Sequence, residues 1–251
     1  MPKPRFKIIL PIILLLGVVS SNSQENSLGL FQKANRFYDS GNFNSAIQSY
    51  HQLLDKGIKE ATVYYNLGNA YFKARQLGKA ILYYRKALKL APRDKDIKTN
   101  LNFSRLFVVD KIKSSTNLSS IFLDKILNWG TVNEFTFLTL LFYLGSTSLG
   151  IAVFFKRGQI IKRSLAVCLA LFVILLFFSV MKISRASKWQ EAVVTVPTVE
   201  IYSGHGKEFT LQFTGHEGLE LKIEQEKDDW YLISLPQGVK GWLPKTAVEQ
   251  I

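Results

Sequence analysis

A single cysteine and three histidines in 251 residues leave little material for redox or metal chemistry. Cys168 has no partner for an internal disulfide and sits inside an unbroken apolar run, where a thiol is a small packing or lipid-facing side chain. The lack of disulfides does not exclude an oxidising compartment. His51, His205 and His216 have no Cys or His neighbour at metal-ligand spacing, so no metal site is expected. Gly204 and Gly206 lack the third glycine and following helix of a phosphate-binding loop. Asp228 and Asp229 precede an apolar alternation and read as a turn. No nucleophile and base are paired by any motif. The chain is therefore expected to be no enzyme and to need no cofactor. Nucleic acid is not an expected partner either, because no nucleic-acid motif accompanies the net charge of +13.

That charge is uneven. Residues 24–113 hold 16 Lys and Arg against 7 Asp and Glu, whereas residues 191–251 hold 5 against 10. The opposite signs suggest that the two regions dock on each other. The apolar residues are bunched as well. Lys3, Arg5 and Lys7 precede an apolar block and then Ser21, Asn22 and Ser23, the layout of a signal peptide over 1–23. Residues 135–155 carry no charge for 21 positions, about 30 Å as a helix. Residues 164–181 are a second uncharged run of 18, and Lys156, Arg157, Lys162 and Arg163 crowd the 156–163 loop between them. Two such runs joined tightly predict a transmembrane helical hairpin. The basic loop favours the cytoplasmic side, which leaves the rest of the mature chain on the other face. Lys182, Arg185 and Lys188 in the 182–190 linker pull against this orientation, and the signal sequence decides it.

From Leu30 to Pro92 the chain repeats with a period of 34 residues: Phe37, Gly41, Phe43, Ala46 and Tyr50 recur as Tyr71, Arg75, Leu77, Ala80 and Tyr84. Leu67 and Tyr71 share one helix face, small Gly68 and Ala80 permit close helix approach, and Pro92 ends the second helix. This pattern resembles the tetratricopeptide (TPR) family, a stack of helix pairs that holds other proteins. The expected TPR domain is 24–113, with repeats at about 27–60 and 61–94. The first repeat is the poorer, with Lys33 and Ala34 where the family has Leu and Gly. A cap helix is expected over 96–110 from a stripe of Ile97, Leu101, Leu106 and Val109, and 114–134 is expected to be a linker. By the same resemblance the partner-binding groove is lined by Phe31, Asn35, Tyr38, Tyr65, Asn69, Phe72, Lys73, Phe103 and Phe107. Some family members clamp a terminal carboxylate. Asn35 and Asn66 match that clamp, but Phe31, Asp96 and Asn100 stand where its basic residues would be, so that ligand is not expected.

From 191 to 251 the texture is that of short strands. Leu219, Leu221 and Ile223 alternate with charged residues, and Tyr231 and Ile233 alternate again. The stretches from Trp230 to Ile233 and from Gly241 to Pro244 resemble the closing strands of bacterial SH3 domains. Trp230, Tyr231 and Trp242 are the candidate surface for a cell-wall peptide, set against a plainer expectation that Trp242 is core. The fold class expected is thus a multidomain membrane protein: an all-α TPR solenoid, a transmembrane helical hairpin and a small all-β SH3-like barrel.

This order of parts, together with Asn100, Leu101, Asn102 and Val109, Asp110, Lys111, Ile112 after the repeats, resembles the BatE family of the aerotolerance (Bat) operon. The resemblance implies a non-enzymatic component of the bacterial inner membrane, with the TPR and SH3-like domains on the periplasmic or extracytoplasmic side. It implies von Willebrand factor A-domain membrane proteins or a MoxR-type ATPase complex as partners. An alternative role is a peptidoglycan tether or sensor acting through the SH3-like domain.

Overall fold

Helix pairs, an apolar hairpin and a small sheet follow one another along the chain. The computed structural model describes residues 27–111, 118–127, 129–156, 158–188 and 190–251. The expected signal peptide lies outside the described residues.

Five helices form the amino-terminal array: α1 (27–39), α2 (Phe43–Asp55), α3 (Ala61–Lys73), α4 (Leu77–Leu90) and α5 (Lys95–Arg105). Asn42 caps α2, its Oδ1 accepting from Ser45 N at 3.2 Å, and Asp94 caps α5 by accepting from the Asp96 and Ile97 amides. Gly68 has a packing role, because a Cβ there would stand 2.7 Å from Tyr84 Cδ1. Ala34 and Ala80 are fully buried, and the seam is filled by Tyr50, Leu53, Leu67, Ile81, Tyr84 and Leu101.

The turns between helices of a pair need a left-handed residue. Gly41 supplies it at φ +76°, and the equivalent Arg75 adopts φ +61°. A side chain in that region costs on the order of 1 kcal/mol. Arg75→Gly should therefore stabilise the array by about that amount, read as a rise in its urea midpoint, and a fall would show that the arginine side chain outweighs the strain.

The cap helix is shorter than expected and ends at Arg105. Leu106 and Val109 are more than 60% exposed, and Val108 is the residue that turns inward. The 114–134 stretch is not all linker, since α6 spans Leu118–Leu127. α7 (Val132–Phe155) starts three residues earlier than the apolar run. Its start is set by a capping box: Thr131 Oγ1 accepts from the Glu134 amide at 3.2 Å, and Glu134 accepts from the Thr131 amide at 2.8 Å. α8 (Gln159–Lys188) absorbs most of the expected loop and linker on either side of its apolar run, because no proline or glycine stops it. The two helices lie antiparallel, joined by Thr139 and Ser179 hydroxyls 2.9 Å apart and by Tyr143 against Phe172. Both are long and apolar enough to cross a membrane.

Seven antiparallel strands follow: β1 (Gln190–Val194), β2 (Thr198–Tyr202), β3 (Leu211–His216), β4 (Glu220–Lys227), β5 (Trp230–Ser234), β6 (Lys240–Pro244) and β7 (Val248–Gln250). Their order is β3-β2-β6-β5-β4-β1-β7, and the expected barrel does not close. No pairing joins β3 to β7, and β2 meets β6 only at Tyr202 and Trp242, so the β2–β3 hairpin splays away. The sheet still curls round one core of Ala192, Val194, Ile201, Leu221, Ile233 and Leu243.

The acidic sheet sits against the basic array. Arg105 grips Glu220 through two hydrogen bonds, Nε to Oε1 at 2.6 Å and Nη2 to Oε2 at 2.9 Å. Arg85 pairs with Glu191 and lies 3.3 Å from Glu220. Asp110 accepts from the His216 amide at 2.7 Å and faces its Nδ1 at 3.0 Å. Glu217 accepts from the Gly78 amide at 2.9 Å and so caps α4, whose own N-cap residue Gln76 makes no side-chain cap. Apolar contact accompanies the charges, for Val193 is buried in the helical core and Ile251 packs against it. Glycines allow the approach: Gly78 lies under the Val194 carbonyl, and Gly218, at φ +88°, lies under Ile81 and Val108.

Candidate functional site

The helices α1, α3 and α5 present one continuous strip of amide and aromatic side chains. Asn35 Oδ1 accepts from the Tyr50 hydroxyl at 2.6 Å and from Asn66 Nδ2 at 3.3 Å. One pair further along, Asn69 Oδ1 accepts from the Tyr84 hydroxyl at 2.7 Å and from Asn100 Nδ2 at 3.0 Å. Asn100 also donates to the Tyr65 hydroxyl at 2.9 Å. The pattern repeats because Asn35 and Asn69, like Tyr50 and Tyr84, are 34 residues apart. Each second-helix tyrosine thus fixes a first-helix asparagine. Burial pushes the Tyr50 phenol up to about 12, and burial likewise raises Tyr84, so both hydroxyls stay neutral donors.

A hollow of about 250 Å³ opens over these amides, lined by Asn35, Tyr38, Asp39, Tyr50, Asn66 and Asn69. Beside it stand three phenylalanines. Phe72 lies 5.8 Å from both Phe103 and Phe107, which are 5.2 Å from each other. Phe103 is 50% and Phe107 57% exposed, an open aromatic surface rather than a packed core. Phe72 is one turn from Asn69, and Phe103 one turn from Asn100, so hollow and aromatics share one face.

Of the nine residues expected to line the groove, Asn35, Tyr38, Tyr65 and Asn69 gather at the amides, and Phe72, Phe103 and Phe107 at the aromatic end. Phe31 is set back, half-buried against Tyr50 at 6.2 Å. Lys73 is exposed and joins neither group. Sequence reasoning missed Asp39, Tyr50, Asn66 and Asn100 as members. The 34-residue spacing of the tyrosines is the signal that would have found Tyr50.

Residues 61–94 match the tetratricopeptide repeat model, and residues 34–74 match a TPR repeat model. Residues 34–94 of the helical array are TPR repeats. No curated protein matches the chain. TPR repeats form protein-interaction scaffolds, and here the first helices of the TPR array line the hollow while α4 carries the sheet on its other side.

In the sheet, Trp230 and Trp242 lie on its outer face and Tyr231 on the opposite one. Leu243, not Trp242, is the core residue of β6, because register pairs Leu232 with Trp242 on the outside while Ile233 and Leu243 point in. Trp230 meets the Tyr202 ring at 5.9 Å, and His205 stacks on Phe209 at 5.8 Å and is tilted against Trp242 at 5.5 Å. Tyr231 packs against the β-core, under the Lys245 ammonium at 5.4 Å. The expected trio is thereby split, and Tyr202, His205 and Phe209 take the place of Tyr231 beside the tryptophans.

Among the described residues no group of acidic, His or Cys side chains has the makings of a metal site.

Proposed function

We propose that this chain is a non-enzymatic, membrane-anchored scaffold whose TPR groove holds an extended segment of a partner protein. One observation carries the reading: an ordered ladder of asparagine amides runs directly into an aromatic triad whose Phe103 and Phe107 are exposed. Side-chain amides can pair with the free backbone groups of an extended peptide, and open aromatic rings take its apolar side chains. The groove has Asp39 at its rim and no basic residue over the amides, so it suits an internal, neutral or basic segment rather than a carboxylate terminus.

The anchor is the α7–α8 hairpin. Phe137, Leu141, Ile151, Val167, Val173 and Phe177 are all more than half exposed, and the central runs of both helices, 135–155 and 164–181, carry no charge. In water such a surface is untenable, whereas in lipid it is the ordinary state. Trp129, with Arg93 over its ring at 5.4 Å, and the Arg93–Glu134 ion pair stand at the base of α7, as expected at a membrane–water interface. The basic turn between the helices supports its placement in the cytoplasm, with array and sheet on the extracytoplasmic face of a bacterial inner membrane. The likeness to the BatE family points to von Willebrand A-domain membrane proteins or a MoxR-type ATPase complex of the Bat system as partners.

The test is affinity capture of the tagged full chain from mild detergent, compared with the Phe103→Ala/Phe107→Ala variant. Both rings are exposed, so folding should be untouched, while loss of an aromatic anchor weakens capture by about tenfold or more. A partner captured equally well by both forms would place binding elsewhere.

A second reading is favoured by the outer face of the sheet. Trp230, Trp242 and His205 form a ready shelf for a cell-wall peptide, backed by the buried Tyr202 ring, which would make the chain a peptidoglycan tether or sensor. Sedimentation of the carboxy-terminal module with intact wall, and its loss in Trp242→Ala, is the expected result for that role; failure to sediment removes it.

A further inference from the structure

No Asp or Glu lies between Glu134 and Glu191, yet that interval holds seven Lys and Arg. Four of these, Lys156, Arg157, Lys162 and Arg163, flank the turn between α7 and α8. Among the described residues, Lys156, Lys162 and Arg163 form no ion pair. Among the described residues nothing supplies their counter-charge. Just below them the hairpin opens into a crevice of about 420 Å³. Its walls are Phe142 and Leu149 of α7 and Val167, Cys168 and Leu171 of α8, and its mouth is Arg163 with Ser164. Gly145 lets α7 approach the Cys168 wall closely, since a Cβ there would stand 3.3 Å from Cys168 Sγ. From Phe142 to Leu149 it runs two turns, about 10 Å along the helix axis.

We propose that this crevice is a binding site for one anionic phospholipid. The headgroup phosphate lies at the mouth, on the Arg163 guanidinium with Ser164 and Lys162 beside it, and one acyl chain lies along the apolar walls. Arginine suits the task, because its planar fork donates two parallel hydrogen bonds to a phosphate and its stem follows the helix up to the headgroup level. A basic pocket between spanning helices on the cytoplasmic side is a place where anionic headgroups are held. The site rests on the membrane reading above, and it adds a chemical preference to what would otherwise be a passive anchor.

The test uses the purified full chain in nanodiscs of equal phosphatidylcholine and phosphatidylglycerol with matched acyl chains. Native mass spectrometry follows the last lipid retained as the activation energy rises. Phosphatidylglycerol should be retained over phosphatidylcholine, and each charge removed by Lys162→Gln or Arg163→Gln should cut that preference about fivefold. Val167→Trp keeps every charge but fills the crevice, and should abolish retention of either lipid. Excess inorganic phosphate should leave the adduct in place, since phosphate alone has no claim on the apolar walls. Equal retention of the two lipids, a preference unmoved by the glutamine variants, or displacement by phosphate would each overturn the site. Alkaline extraction of cell membranes separates this from the anchoring reading. A chain that stays in the pellet yet shows no lipid preference sinks the crevice alone, whereas a chain released into the supernatant sinks the anchor.

Discussion

Gly78→Ala should pull the sheet off the helical array while leaving each folded. Ordinarily this substitution favours a helix by about 0.5–1 kcal/mol, because alanine loses less backbone entropy. Here the added Cβ would fall far inside contact with the Val194 carbonyl oxygen and 3.1 Å from Thr195 Cα. Both neighbours are backbone and cannot rotate away. Overpacking of this kind costs about 1–3 kcal/mol, and the dock can escape it only by separating. The Gly78 and His216 amides donate across the interface to Glu217 and Asp110. Hydrogen exchange in the full chain should therefore show both amides losing protection while those of α3 and β5 keep theirs. Unchanged protection at both would mean the interface has slack that the geometry denies. Glu220→Lys should act in the same direction and more strongly at low salt, since it sets a third cation between Arg85 and Arg105.

Tyr84→Ala should remove most of the stability of the TPR array. The side chain is 2% exposed, lies across Gly68 and donates its hydroxyl to Asn69. Truncating a buried aromatic residue costs about 3–5 kcal/mol, against a total of about 5–15 kcal/mol for a domain. Tyr84→Phe keeps the packing and loses only the donor, and Asn69 retains its bond from Asn100, so the cost should be about 1 kcal/mol. Urea unfolding followed through exchange of α3 amides distinguishes the two. The double variant Gly68→Ala/Tyr84→Ala adds a further check. Gly68→Ala alone should destabilise, because its Cβ would stand 2.7 Å from the tyrosine ring. With the ring removed by Tyr84→Ala the same methyl has room, so the two changes should not add. Equal losses for Tyr84→Phe and Tyr84→Ala would show that the hydroxyl, not the ring, holds the seam.

The helical repeats were legible because their determinants are local. Leu67, Gly68, Tyr71, Ala80 and Tyr84 lie within 18 residues, and their spacing alone dictates which helix faces meet. The apolar spans were legible for a similar reason, since composition over a window needs no tertiary information. Their ends were not. Thr131 and Glu134 fix the start of α7 by a capping box hidden in a stretch that reads as linker. The faces of Trp242 and Tyr231 stay open in the sequence, because alternation gives two faces without saying which is inward. The buried neighbour Leu243 decides it, through pairing with β5. The groove was half legible: the asparagines and phenylalanines stand where the repeat puts them, but the hydroxyls that orient the amides come from the partner helices.

The units of this protein can be read along its chain: two TPR helix pairs, two long apolar helices and a run of short strands, each written in a period of 34, a window of apolar residues or an alternation of two. How those units meet is written nowhere in these local patterns and depends on contacts between distant residues. Glu217 caps a helix through the amide of Gly78, 139 residues earlier, and Glu220 gathers arginines from two helices. Opposite net charge predicts that such regions attract, but attraction falls off slowly and selects no partner. The particular contact is set by hard-core packing at Gly78 and Gly218, where the absence of a side chain is felt only once the other surface is in place.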